Sequence, residues 1–243
     1  MNNLQETLAS LENCRLERAE YFSDALQALG EEAGAEYAEY VSRSRIPEAK
    51  RVDIDRRFAH SLCAVQGKGI LIAGNDAVAI ERVAENCALS GFGRIGLCSS
   101  AVLPDGRFAA RAVAERLSVS TPFSGIFAVL RSKKPPERMI RSYDFLVAVG
   151  PLPRSSLRAA AYCGKPAAVL KGRGGEGAVY LLFPESLEAR RRCFRDERTL
   201  CDGSVFLADI ASELALQVLT RGNFYRGGLL FCVGAGGIRR MRL

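Results

Sequence analysis

The sequence predicts an α/β protein: a Rossmann-like, mostly parallel sheet with helices on both faces, plus an N-terminal helical arm. Two observations predict it. Residues 68–100 hold strand, turn, helix, turn and strand in about thirty residues, the βαβ unit that opens such a sheet. Beyond it, short apolar runs keep alternating with helical patterns, as parallel strands and crossover helices do.

Within the βαβ unit, Ile70, Leu71, Ile72 and Ala73 form an apolar run that stops at Gly74, like a buried parallel strand breaking into a turn. Val78, Val83, Ala84, Cys87 and Ala88 then recur at helical spacing. Gly91 and Gly93 punctuate, and Ile95 to Cys98 restart an apolar run. A nucleotide site on this turn wants G-x-G-x-x-G, so that backbone and helix N-terminus can meet phosphate. Gly74 supplies the first glycine; Asp76 and Ala79 stand at the next two. Asp76 suits a helix cap, and its charge falls near where a phosphate would sit. The second strand ends in Cys98, Ser99 and Ser100, with no acidic residue for a ribose. The candidate cofactor contacts are therefore Gly74, Asn75, Asp76 and Ser99, on a turn whose nucleotide signal is poor.

Residues 1 to about 60 read as helices. Leu4, Leu8, Leu11, Leu16, Ala19, Phe22, Ala25, Leu26 and Leu29 keep one stripe, with Gly30 as a stop and Pro47 ending the extension. This sets the expected boundary between an arm, 1–50, and the sheet domain, 51–243. Past the βαβ unit, Leu103-Pro104-Asp105-Gly106 is a turn. A helix follows over 107–117 with Ala109, Ala110, Val113, Ala114 and Leu117 inward. Strands are expected at 127–130, 143–150, 167–170 and 179–183, with a helix at 155–163. The glycine-rich run 172–177 has no helix after it and reads as a tight turn between strands. Residues 184–202 are polar and arginine-rich, which predicts a mobile segment. A helix over 204–219, with Val205, Ile210, Leu214 and Val218 inward, precedes a final strand pair at 229–233 and 238–243.

At 243 residues and 48% hydrophobic, the chain can bury a sizeable core as one domain. No apolar run reaches membrane-spanning length, and the polar start is no signal peptide. Eight scattered cysteines without a CxxC suit buried thiols of a reduced cytoplasmic protein. His60 is the single histidine, which leaves little to build a metal site. The net charge of +7 is carried mostly by arginines, focused only in Arg190-Arg191-Arg192-Cys193-Phe194-Arg195. A solvated loop or an acidic partner accounts for that cluster better than nucleic acid.

The order of these elements resembles the ubiquitin-activating E1-like superfamily, the ThiF/MoeB/HesA group, from about residue 50 onward. The likeness rests on Asn86 to Gly93 (Asn-Cys-Ala-Leu-Ser-Gly-Phe-Gly), Ala114-Glu115-Arg116-Leu117 in its helix, Tyr143-Asp144-Phe145-Leu146-Val147, Gly164-Lys165-Pro166 and the closing Gly-Leu-Leu strand. The resemblance implies adenylation of the C-terminal carboxylate of a small carrier protein, with ATP on the first βα turn. Carried over by position, its ribose aspartate falls on Ser99, its lysine on Ala109 and its magnesium aspartate on Pro151. Its arginine segment has no room between Ser100 and Gly106, and its paired CxxC motifs are absent.

Adenylation joins two anions, so catalysis is mostly cationic clamping, and one lost donor costs about 3 kcal/mol. The expectation is a degenerate E1-like protein without bound ATP or metal. It would act as a binding or scaffolding partner, paired with a second copy or with an active E1-like enzyme, or holding a peptide or carrier tail. The rival is a divergent enzyme, using Asn75, Asp76 and Ser99 for a nucleotide or Cys193 as a thiol activated by flanking arginines. As a plain loop cysteine, Cys193 would titrate near about 8.5.

Overall fold

The computed structural model describes residues 65, 67–120, 125–132, 134–150, 152–173, 176–197, 204–221, 228–234 and 237–242. The expected arm over 1–50, His60, Pro151 and Cys14, Cys63 and Cys201 lie outside the described residues.

Strand β1 (Gly69–Gly74) is buried at every position, because it lies inside the sheet with a layer of helices on each face. It pairs in parallel with β2 (Arg94–Ser99) on one side and β4 (Phe145–Val149) on the other. β3 (Gly125–Leu130) continues in parallel beyond β2, and β5 (Ala167–Arg173) beyond β4. Three antiparallel strands, β6 (Glu176–Leu182), β7 (Leu229–Gly234) and β8 (Gly237–Arg242), extend the sheet from β5. The order is β3-β2-β1-β4-β5-β6-β7-β8. Chain direction across the sheet reverses between β1 and β4, the switch point of a doubly wound fold.

Right-handed crossovers turn that reversal into two helix layers. One layer holds α1 (Ala77–Leu89) and α2 (Ala109–Ser120), joined later by α6 (Ser204–Arg221). The other holds α3 (Glu137–Ser142), α4 (Arg154–Tyr162) and α5 (Leu187–Arg195). Along β1, Ile70 and Ile72 face the first layer while Leu71 and Ala73 face the second. Each large apolar side chain buried this way contributes roughly 1.5–3 kcal/mol, which is why the strand is apolar without alternation. Glycine stands at 96 because a Cβ there would lie 2.5 Å from the Tyr143 ring.

The first layer is locked by a polar pin. Arg82 donates to Asp209 through Nε at 2.7 Å and Nη2 at 3.2 Å, and Asn86 Nδ2 donates to the same carboxylate at 2.6 Å. The pin ties α1 to α6 and gives the Asn86 of the Asn-Cys-Ala-Leu phrase a structural job.

The expected strands, the antiparallel pair β5–β6 around the glycine-rich run and the closing pair β7–β8 are observed, and all five inward residues of α2 are buried. Three expectations are corrected. Val78 and Val205 are 55% and 41% exposed, each in the first turn of its helix; Ala79, Ile80, Leu207 and Ala208 take the inward positions instead. The segment 184–202 expected to be mobile carries helix α5, held by buried Ala189 and Cys193. Helix α3, absent from the sequence reading, buries Met139 and Ile140 directly after the Pro135-Pro136 pair.

Candidate functional site

Ligands of open α/β sheets sit beyond the carboxyl ends of the strands at the switch point, here between the ends of β1 and β4. The two strands stay paired to their last residues, Gly74 opposite Val149, and Asn75 N–H donates to the Val149 carbonyl at 3.3 Å. A Cβ on Gly74 would lie 1.9 Å from that carbonyl oxygen. Close strand packing therefore demands the glycine whether or not a ligand comes near. Asp76 caps α1, its Oδ1 accepting from Ala79 N–H at 2.8 Å. Ala79 is fully buried, doing the helix-to-strand packing of the third glycine.

The structure brings Gly74, Asn75, Asp76 and Ser99 together at the carboxyl ends of β1 and β2. Ser100 Oγ donates to Asn75 Oδ1 at 2.9 Å, and fully buried Ser99 accepts from Ala101 N–H at 3.0 Å. Between Ser100 and α2 the chain makes a small antiparallel loop, bridged at Val102 and Phe108. Leu103 N–H donates to the Arg107 carbonyl at 2.8 Å, and Gly106 turns the chain at φ 81°. The backbone N–H of Arg107, and then its guanidinium, hold the Asp105 carboxyl below the usual carboxylate range. The Arg131 guanidinium stacks 3.7 Å from the Phe108 ring centre. Ala109, first residue of α2, is fully buried.

Cys193 lies elsewhere, at the end of β5. It is 1% exposed on the inner side of α5, and burial pushes its thiol up to about 12, with Lys171 pulling down and Asp196 pushing up. That direction is opposite to the one an activated nucleophile needs. Lys171 Nζ donates to the Cys193 carbonyl at 2.6 Å and to the Asp196 carbonyl, clamping the helix C-terminus where a cation is favoured. Tyr180 OH donates to Asp196 Oδ2 at 2.7 Å. The sequence reading missed this Lys171–Tyr180–Asp196 clamp and the Phe108–Arg131 stack. The one available signal was a lysine, among only six, directly following the apolar run of β5.

Cys98 is buried and donates to the Ser132 carbonyl at 2.9 Å, its thiol also pushed up to about 12 by burial. Among the described residues no group of three or more His, Cys, Asp and Glu side chains converges. The side-chain chemistry gathered at the switch point is thus hydroxyl, amide and carboxylate, and much of it already has a partner within the fold.

No protein-family model and no curated protein matches the sequence. Solved structures do match in fold. Against E. coli MccB with ATP, the TM-score is 0.58 at 8% identity, covering 88% of this chain and 79% of that one. Against the microcin C7 biosynthetic enzyme MccB in complex with N-formylated MccA it is 0.54 at 9% identity, with the same coverages. Against PaaA it is 0.58 at 11% identity, covering 91% of this chain and 96% of that one. At such identities the likeness is one of fold, and that fold is the α/β, mostly parallel sheet with helices on both faces that the sequence predicts.

Proposed function

We propose that this chain is a non-catalytic E1-like protein, a binding or scaffolding partner in a biosynthetic or modifier pathway. Asp76 carries the reading. The N-terminus of α1 is where this fold class offers an anion site, and an aspartate carboxylate is already seated there. A triphosphate arriving would meet a negative charge at contact range, where like charges repel strongly and screening is weak. Ser99 has no carboxylate to hold ribose hydroxyls, and buried Ala109 has no ammonium to hold phosphate. These residues do not fit a magnesium-bound nucleotide.

What remains to such a fold is recognition of an extended peptide along a sheet edge or a crossover loop. MccB structures with MccA supply the parallel among fold neighbours. The chain would work as a pair, with a second copy or with an active E1-like enzyme, a point that light scattering at micromolar concentration reads directly. The test of the non-catalytic reading is ATP–pyrophosphate exchange with magnesium and carrier-tail peptides. No exchange above the protein-free blank is expected. Exchange that saturates with ATP would instead establish the divergent enzyme, with Asn75, Asp76 and Ser99 as its contacts.

A further inference from the structure

The two helix layers differ sharply in charge. Helices α1, α2 and α6 carry four arginines against five acidic residues. Helices α3, α4 and α5 carry eight arginines against two glutamates. Those glutamates are engaged locally: Glu137 with Arg141 at 2.8 Å, and Glu188 with Arg192 at 3.5 Å and Arg191 at 3.8 Å. Exposed Arg138, Arg158 and Arg195 have no acidic partner among the described residues. The same face holds the two most exposed large apolar side chains of the described residues, Tyr162 at 83% and Leu187 at 65%. A surface that mixes arginine with an aromatic and a leucine has the composition of an interface core.

The chain itself carries the complement. Residues 1–41 hold nine acidic residues and two arginines, a net charge of −7 in a protein whose total is +7. Interleaved with them run Leu4, Leu8, Leu11, Leu16, Phe22 and Leu26, an apolar stripe that needs cover. We propose that this acidic segment docks on the outer face of α3, α4 and α5 of its own chain. Its carboxylates face the arginines, and its apolar stripe covers Tyr162 and Leu187. Reach is no obstacle: the 23 residues between 41 and Val65 extend to at most about 80 Å. Tethering supports docking within the chain over docking on a second copy, since it sets a local concentration in the millimolar range, far above micromolar protein. The docked segment also screens an arginine surface that would otherwise attract polyanions. The inference does not depend on whether the switch-point site is catalytic.

Zero-length carbodiimide cross-linking of the full chain tests it, because this chemistry joins an amine to a touching carboxylate. Arg158→Lys and Arg195→Lys place amines on the basic face with its charge unchanged; Arg111→Lys on α2 is the opposite-face control. The expected result is cross-links from positions 158 and 195 to peptides of segment 1–41, about tenfold above position 111, as tethered contact implies. They should persist on dilution, and fall severalfold in about 1 M salt, where the screening length is about 3 Å. They should fall likewise when Glu31→Lys, Glu32→Lys and Glu36→Lys are added. Equal yields at 158, 195 and 111 would overturn the proposal. So would cross-links that join only differently isotope-labelled copies, or none to the segment while the unmodified face retains a nucleic-acid or acidic-protein probe.

Discussion

At the carboxyl edge of the parallel strands, Asn75, Asp76, Ser99 and Lys171 each have a hydrogen-bond partner inside the fold. On the outer face of α3, α4 and α5, Arg138, Arg158 and Arg195 have no such partner among the described residues. The first region is where this fold class binds its ligands, yet its polar groups hold the protein to itself. The second is merely the back of a helix layer, yet it carries charge that no described residue matches. A fold therefore fixes where a site can be built, and the disposition of donors and charges decides whether one is.

Substitutions can break or sharpen that contrast. The largest effect belongs to Gly74→Val, whose Cβ would lie 1.9 Å from the Val149 carbonyl oxygen. A loss above about 4 kcal/mol in urea unfolding is expected, among the most severe for any single change. A mild effect would mean the β1 and β4 ends stand apart, leaving an open crevice. Next comes Lys171→Met, which strips the ammonium from two carbonyls at the end of α5 and should cost about 1.5–3 kcal/mol. A neutral result would free Lys171 for a ligand role and dissolve the contrast.

The alkaline limb of stability comes third. Buried Cys193 and Cys98 titrate near about 12 in the folded chain against 9.0 when unperturbed. Both shifts are upward, so their contribution is intact below about pH 9 and is lost as pH rises toward 12. Each thiol then costs about 1.4 kcal/mol per pH unit in that window. Cys193→Ala should flatten the slope by one thiol's share, measured as unfolding midpoints from pH 8 to about 10.5. An unchanged slope would mean the thiol is open to solvent and restore it as a reactive candidate. Smallest of all, Tyr162→Ser and Leu187→Ser should each cost about 1 kcal/mol in urea unfolding of the full chain, as side chains covered by the docked segment do. A change within about 0.5 kcal/mol from both would show the two side chains uncovered and count against the docking.

Much of the fold was legible because its strands are buried on both faces. Ile70 to Ala73 and Phe145 to Val149 read as uninterrupted apolar runs for that reason. The buried face of helix α2 was legible to the residue, since Ala109, Ala110, Val113, Ala114 and Leu117 leave only one phase open, while its bounds lie two residues later at the start and three at the end than expected. Helix α5 was hidden, because it anchors through just Ala189 and Cys193, four apart, inside a run of arginines. The first turns misled the phase of α1 and α6, where Val78 and Val205 outrank their immediate neighbours in hydropathy yet face solvent. At the switch point, the Asp76 cap could be read from local chemistry. Contacts between residues far apart in the chain, such as Arg131 with Phe108 and Arg82 with Asp209, leave no local pattern to read.

The proposed function stands on an α1 N-terminus that the Asp76 carboxylate already occupies and that holds no nucleotide. Calorimetric titration of the full chain with magnesium and ATP reads this without relay through another step. A dissociation constant weaker than about 1 mM, near −4 kcal/mol, is expected. A micromolar constant with one site per chain would contradict it, and would make this turn the contact surface of a divergent enzyme.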